Sequence, residues 1–217
     1  VHAPPDAASP PESTLVLDNA WLATRPWASH FCEENAWWVA AAPDLITLRT
    51  TVVMITNPRR SVAMWQQRAA VTDPIVWDYH VVVVLEPGEA GSGALVIDAD
   101  CRAGAVLSID EWLAASFPVE VSPDYAPQFR LISGLHYLEH FVSDRSHMLD
   151  ADGKPLQPFP PWAALGVGDG KANTLFPWLD LTQPSPGDVV DLDGLAERFG
   201  LMAMVEDDSD TSEEEAP

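Results

Sequence analysis

Apolar residues cluster along the chain in short runs, and the period of each run assigns an element. The longest run is Ile75-Val-Trp-Asp-Tyr-His-Val-Val-Val-Val-Leu85. It is β-branched enough to predict one buried strand over 75–85. Leu48–Thr56, Val62–Trp65, Ala94–Asp98 and Phe129–Ile132 read as further strands. Asn57-Pro-Arg-Arg60 and the Gly-rich Glu86–Gly93 stretch read as turns between them. Ser29–Ala42 predicts a helix that begins between Ser29 and Cys32, carries Glu33 and Glu34 in its first turn and stops before Pro43. Ser108–Ala115, Ser133–Phe141 and Asp191–Phe199 predict three more helices, the last capped by Asp191 and stopped by Gly200. Pro155–Trp162 is Pro-rich and irregular. Hairpins outnumber βαβ units, so the pattern favours an α+β fold over a doubly wound one.

Composition narrows the setting. The sequence of 217 residues suffices for one well-buried core, with 47% apolar residues and nine Trp. Residues 1–13 are Pro/Ala/Ser-rich and 206–217 are acidic and of low complexity, so both are expected to be disordered around a single folded domain over 14–205. The net charge is −22, and it is still about −15 without the seven acids of the tail. That balance argues against nucleic acid and anionic membranes as partners. Cys32 and Cys101 do not make a disulfide framework. With no transmembrane-length run and no signal-peptide pattern, a cytoplasmic protein, also able to reside in the nucleus, is expected, and a monomer is the default.

Candidate chemistry enters with the polar residues inside the 75–85 run. Strand alternation puts Asp78 and His80 on one face and Trp77 and Tyr79 on the other, which makes the two aromatics core residues rather than substrate wall. A hairpin centred in the Gly-rich turn pairs residues whose numbers sum to 178, so His80 falls directly opposite Asp98. The pair serves equally well as a satisfied core ion pair and as a catalytic dyad in which Asp98 orients the imidazole. Asp100 lies on the same strand face as a near neighbour. Cys32 sits where a helix begins, a position that favours thiolate, while Glu33 and Glu34 oppose it unless they turn outward. Helix-start Cys, strand His and facing Asp follow the order of papain-like and transglutaminase-like thiol enzymes.

Larger pieces of the chain carry a family resemblance. They are Cys32-Glu-Glu-Asn35 followed by Trp37, Trp65-Gln-Gln67, Val76-Trp-Asp-Tyr-His-Val-Val82, Pro127-Gln-Phe-Arg130, Tyr137-Leu138 with Phe141, Ser143-Asp-Arg-Ser-His-Met148, Gly168-Asp-Gly-Lys171 and Arg198-Phe-Gly200. In this order the chain resembles the eukaryotic protein N-terminal glutamine amidohydrolase family from about Phe31 to Gly200. The resemblance implies a papain/transglutaminase-like fold, with a largely antiparallel central sheet flanked by helices and the catalytic Cys at a helix N-terminus. It implies deamidation of an N-terminal Gln side chain to Glu through a thioester, feeding the N-degron pathway. Cys32, His80 and Asp98 would be catalytic, no cofactor or metal would be needed, and the partners would be proteins or peptides with N-terminal Gln. Reading a free α-ammonium requires an acid near the thiol, and Glu33, Asp78 and Asp144 are the candidates.

Other patterns in the chain fit other functions. His136-Tyr-Leu-Glu-His140 fits the H-x-x-E-H zinc-peptidase pattern, with Glu197 or an Asp as a remote third ligand. The chain could instead be a non-catalytic module that binds N-terminal residues, or another thiol hydrolase such as a peptidase or transglutaminase. His147 is a conceivable second base and Cys101 a conceivable neighbour of the site, and both are expected to be structural.

Overall fold

A computed structural model describes residues 16–86, 93–167, 171–184 and 186–199. Both terminal segments expected to be disordered, the Gly-rich turn between Glu86 and Gly93, and the Gly200 stop signal therefore lie wholly or mostly outside the described residues. The architecture is α+β. A mainly antiparallel sheet carries helices on both faces.

The order along the chain is α1 (Asn19–Leu22), α2 (Cys32–Ala40), β1 (Thr50–Thr56), β2 (Val62–Met64), β3 (Ile75–Trp77), β4 (His80–Leu85), β5 (Leu95–Ile97), β6 (Val106–Ser108), α3 (Ile109–Ser116), β7 (Gln128–Ser133), α4 (Gly134–His140), α5 (Leu175–Leu179), β8 (Asp188–Val190) and α6 (Leu192–Arg198). The main sheet runs β6-β5-β4-β1-β7-β8, with every neighbour antiparallel. β1 and β4 are central and buried on both faces, which is why they read as unbroken apolar runs. Val52, Met54, Val81 and Val83 pack on one side in the same core as Ala36, Val39, Tyr137 and Trp178 of α2, α4 and α5. Val53, Ile55, Val82 and Val84 pack on the other, with Trp112 of α3 and Leu195 of α6.

Local signals set several boundaries. Ser108 and Glu111 form a capping box at α3, and the Asp191 carboxylate accepts the Gly194 N–H at 2.9 Å to start α6. Ser133 caps α4 by accepting the His136 N–H. Arg130 is fully buried in β7 and donates to the carbonyls of Asp180, Gln183 and Pro186, tying the segment before β8 to the sheet.

Two expectations for the 75–85 run are corrected. It is two strands, not one. β3 pairs with β2 in a separate two-stranded sheet, in the register Val62↔Trp77, while β4 belongs to the main sheet. At the junction the Asp78 carbonyl accepts from the Thr56 hydroxyl and the Tyr79 N–H donates to the Asp78 carboxylate. Side chains thus take the backbone groups that a continuous ladder would use. The hairpin register is also shifted: Val83↔Ile97, Val84↔Val96 and Leu85↔Leu95 sum to 180 rather than 178.

Candidate active site

The register shift is even, so it moves Asp98 along the ladder without turning it to the other face. His80 and Asp98 still meet, as a diagonal pair, with Nε2 3.0 Å from Oδ1. Both are almost wholly buried. Asp98 is saturated: Oδ1 also accepts the Asp100 N–H, and Oδ2 accepts from the Trp112 indole at 3.1 Å and the Gln67 amide at 3.5 Å. Burial disfavours charge on both members of the pair. For His80 the charge and hydrogen bond of Asp98 outweigh it, so its pKa is raised; His80 and the Trp112 indole hold Asp98 low in turn. Asp98 thus fixes Nε2 as the bonded nitrogen and leaves Nδ1 as the other ring nitrogen. Asp100 brings its own carboxylate within ligating distance of the pair. With every lone pair of Asp98 taken, the three form a hydrogen-bonded cluster rather than an open cation cage.

Cys32 is the first residue of α2. The helix begins there and not at Ser29 because Asn35 clamps the preceding loop, accepting the Ala28 N–H and donating to the Ala28 carbonyl, both at 2.8 Å. The thiol and His80 line one cavity of about 320 Å³, together with Asp78, Tyr79, Trp77, Asp100 and His147. Met148, Leu156 and Phe176 add apolar wall. The helix start does not by itself acidify the thiol. Burial, then the negative charges of Glu33 and Asp100, raise its pKa well above the usual range, against the opposing Val81 N–H. Glu33 and Glu34 turn inward and are fully buried.

The three candidate ammonium readers separate. Asp78 lines the cavity. Glu33 lies behind the wall: its carboxylate accepts from the Tyr79 hydroxyl at 3.1 Å, is contacted by the thiol at 3.8 Å and stands 3.4 Å from His147 Nε2. Asp144 is a backbone cap, accepting the Ser146 N–H at 3.0 Å at the start of a short 3-10 turn, Ser146–Met148. It does not reach the cavity.

Trp77 and Tyr79 were expected to point away, and the structure corrects this. The break at Asp78–Tyr79 ends the strand alternation, and both line the cavity. The Trp77 ring lies nearly parallel to His80, with centroids 6.2 Å apart. His147 likewise reaches the site, 3.2 Å from the Tyr79 hydroxyl. No periodicity announces Gln67, Trp112, Tyr79 or His147 as site residues; only the Trp65-Gln-Gln67, 76–82 and 143–148 motifs mark three of them. Cys101 is a free, buried core residue bridged to Gln67.

Of the zinc-peptidase pattern, His136 and His140 are neighbours on α4, with ring centroids 4.4 Å apart. Among the described residues they join no group of three ligating side chains. Glu197 lies on α6, which packs on the opposite face of the sheet from α4. No described helix is long and apolar enough to cross a membrane.

Sequence comparison matches most of the chain to one family. The family described as N-terminal glutamine amidase matches residues 27–199, a span that holds the cavity and both central strands. Among relatives, the human protein N-terminal glutamine amidohydrolase is 31% identical over 180 residues, covering 80% of this chain and 81% of the relative. The bovine protein of that name is 30% identical over 76% of this chain and 78% of its own length. The one from Arabidopsis thaliana is 29% identical over 70% and 74%. On the extent of these matches, the chain belongs to the N-terminal glutamine amidase family.

Proposed function

We propose that this protein hydrolyses the side-chain carboxamide of an N-terminal Gln, releasing ammonia and leaving N-terminal Glu, by thiol chemistry of the papain and transglutaminase kind. The observation that carries the reading is one cavity, within the family match, in which a helix-start thiol and an Asp-bound imidazole share the wall. The Cys32 proton passes to His80 Nδ1 as Sγ attacks the carboxamide carbon. The Cys32 backbone N–H, in a first helical turn where amides lack an intrahelical partner, would donate to the oxyanion. Collapse gives a thioester while imidazolium hands its proton to departing ammonia. Neutral His80 then takes a proton from water, hydroxide adds to the thioester, and the proton returns to Sγ as Glu leaves. Asp98 holds the ring and favours its charged form at each transfer.

Peptides with Gln first, Gln internal and Asn first test the reading directly. Ammonia is expected only from the first, with the backbone uncut. Turnover of internal Gln or peptide-bond cleavage would replace this function by that of another thiol hydrolase.

Asp78 is the acid assigned to the substrate α-ammonium, because of the three candidates it alone lines the cavity. One of its oxygens is bonded to the Tyr79 N–H, which sets the carboxylate's orientation. Asp78→Asn is expected to raise KM roughly tenfold with kcat little changed, since it removes one charge-assisted contact made in both ground and transition states. Steady-state kinetics on the Gln-first peptide check this; a fall confined to kcat would move the ammonium site elsewhere.

A further inference from the structure

Beside the nucleophile lies a buried acid that the mechanism above does not use. Glu33 has no exposed surface, yet its Oε2 is the side-chain acceptor that the Cys32 thiol contacts, at 3.8 Å. It is held there from three directions. Tyr79 donates its only hydroxyl proton to Oε2 at 3.1 Å, His147 Nε2 stands 3.4 Å from Oε1, and the Tyr137 hydroxyl donates to the Glu33 carbonyl at 3.1 Å. Because the Tyr79 proton is committed to Glu33, its oxygen is an acceptor toward His147, 3.2 Å away. The Tyr79 hydrogen bond and the His147 contact hold the carboxylate toward sulfur, while the Tyr137 bond fixes the backbone of the residue.

Around the thiol, every wall contributes titratable groups. They are His30 in the loop before α2, Glu33 on α2, Tyr137 on α4, Asp78, Tyr79 and His80 at the β3–β4 junction, Asp98 and Asp100 after β5, and His147 in the 3-10 turn. No Lys or Arg lines the cavity among the described residues. An empty site of this composition is a poor host for a second anion on sulfur.

We propose that Glu33 guards the nucleophile: its carboxylate keeps the Cys32 proton on sulfur in the empty site, and the α-ammonium of an N-terminal substrate brings the positive charge that lets the proton move to His80. The inference rests on the reading of Cys32 as nucleophile and of an ammonium-bearing substrate. It adds a positioning role for Glu33 and a second source of selectivity. A substrate without a free α-ammonium is then penalised twice, in binding to Asp78 and in the reactivity of the thiol it meets.

Alkylation of Cys32 by iodoacetamide, followed by peptide mapping, reads thiolate content without requiring deamidation. Against wild type, Glu33→Gln keeps an acceptor for Tyr79 but removes the charge. It is expected to alkylate about tenfold faster at neutral pH, with the midpoint of its pH profile lowered by about one unit. Glu33→Asp, which restores the charge, is expected to return the profile toward wild type, with circular dichroism confirming that both variants fold. Glycinamide, a small ammonium-bearing probe, is expected to speed alkylation of wild type several-fold while N-acetylglycinamide does not. A Glu33→Gln profile that superposes on wild type overturns the guard. Wild-type alkylation unchanged or slowed by glycinamide overturns its release by ammonium. Failure of the Gln-first peptide to yield ammonia, with these alkylation results intact, counts against the proposed function and not against Glu33.

Discussion

Cys32→Ala is expected to abolish ammonia release from a Gln-first peptide, lowering kcat/KM by at least about 10⁴-fold, because the proposed mechanism would lose its covalent intermediate. The variant removes one sulfur from the cavity wall without disturbing the His80–Asp98 hydrogen bond, so its fold and its affinity for N-terminal residues should survive. Binding of a Gln-first peptide, measured by calorimetry on the inactive variant, is therefore expected to stay within a few-fold of the wild-type KM. That combination separates the enzyme from a binding module, for which Cys32→Ala would change nothing. Residual turnover above about a hundredth of wild type would require a different nucleophile. Cys101, locked in the core against Gln67, is not placed to supply one.

Arg145→Ala is expected to cost about 3–5 kcal/mol of stability, the penalty for stranding a buried carboxylate. Arg145 and Glu34 are both buried and joined by two hydrogen bonds of 2.7 Å. The Trp162 indole adds a third donor to Glu34 at 2.6 Å, and Arg145 Nη2 donates to the Trp162 carbonyl at 3.0 Å. The guanidinium also lies over the rings of Phe31 and Phe159. One side chain thus ties the irregular segment through Trp162 to the turn of α2 that carries the thiol. Arg145 itself has φ of 60°, a left-handed conformation unusual for a residue with a Cβ, and the surrounding bonds hold it there. Thermal unfolding should show a fall in Tm of about 10 °C, given roughly 2–4 °C per kcal/mol for a domain of this size. Replacing both partners together, Arg145→Met with Glu34→Gln, should recover much of the loss. If the double variant is no better than the single, the two residues do not act as a pair.

How far the sequence discloses this site depends on the range of the interaction. The helix-start Cys32 and the core strand carrying His80 are local patterns, so they were legible. The contact between His80 and Asp98 was legible in outcome and mistaken in detail. Its predicted register was wrong by two residues, but an even error preserves the face of a strand and a diagonal neighbour is still within side-chain reach. The break at Asp78–Tyr79 was not legible, because the apolar run continues through it and the cause is a hydroxyl from Thr56 far along the chain. Trp77 and Tyr79 were misplaced for that reason alone. β6 and β8 are three-residue edge strands with little buried surface, too short to show a period. The direction in which Glu33 and Glu34 point follows from Tyr79, His147 and Arg145, all remote in sequence. Helix-start acids ordinarily face solvent, and nothing local says otherwise here.

The split of the 75–85 run into β3 and β4 divides labour between two pieces of backbone. His80 is anchored in the central sheet, where displacement would disturb both cores. Trp77 and the adjoining Asp78 lie at the end of a small two-stranded ribbon in which, among the described residues, β3 pairs with β2 alone. An engineer wishing to alter which chain ends are accepted can therefore vary the tip of the ribbon at Trp77 and Asp78, keeping Gln67 in the β2–β3 connection as a donor to Asp98, while the His80–Asp98 pair stays on its own foundation.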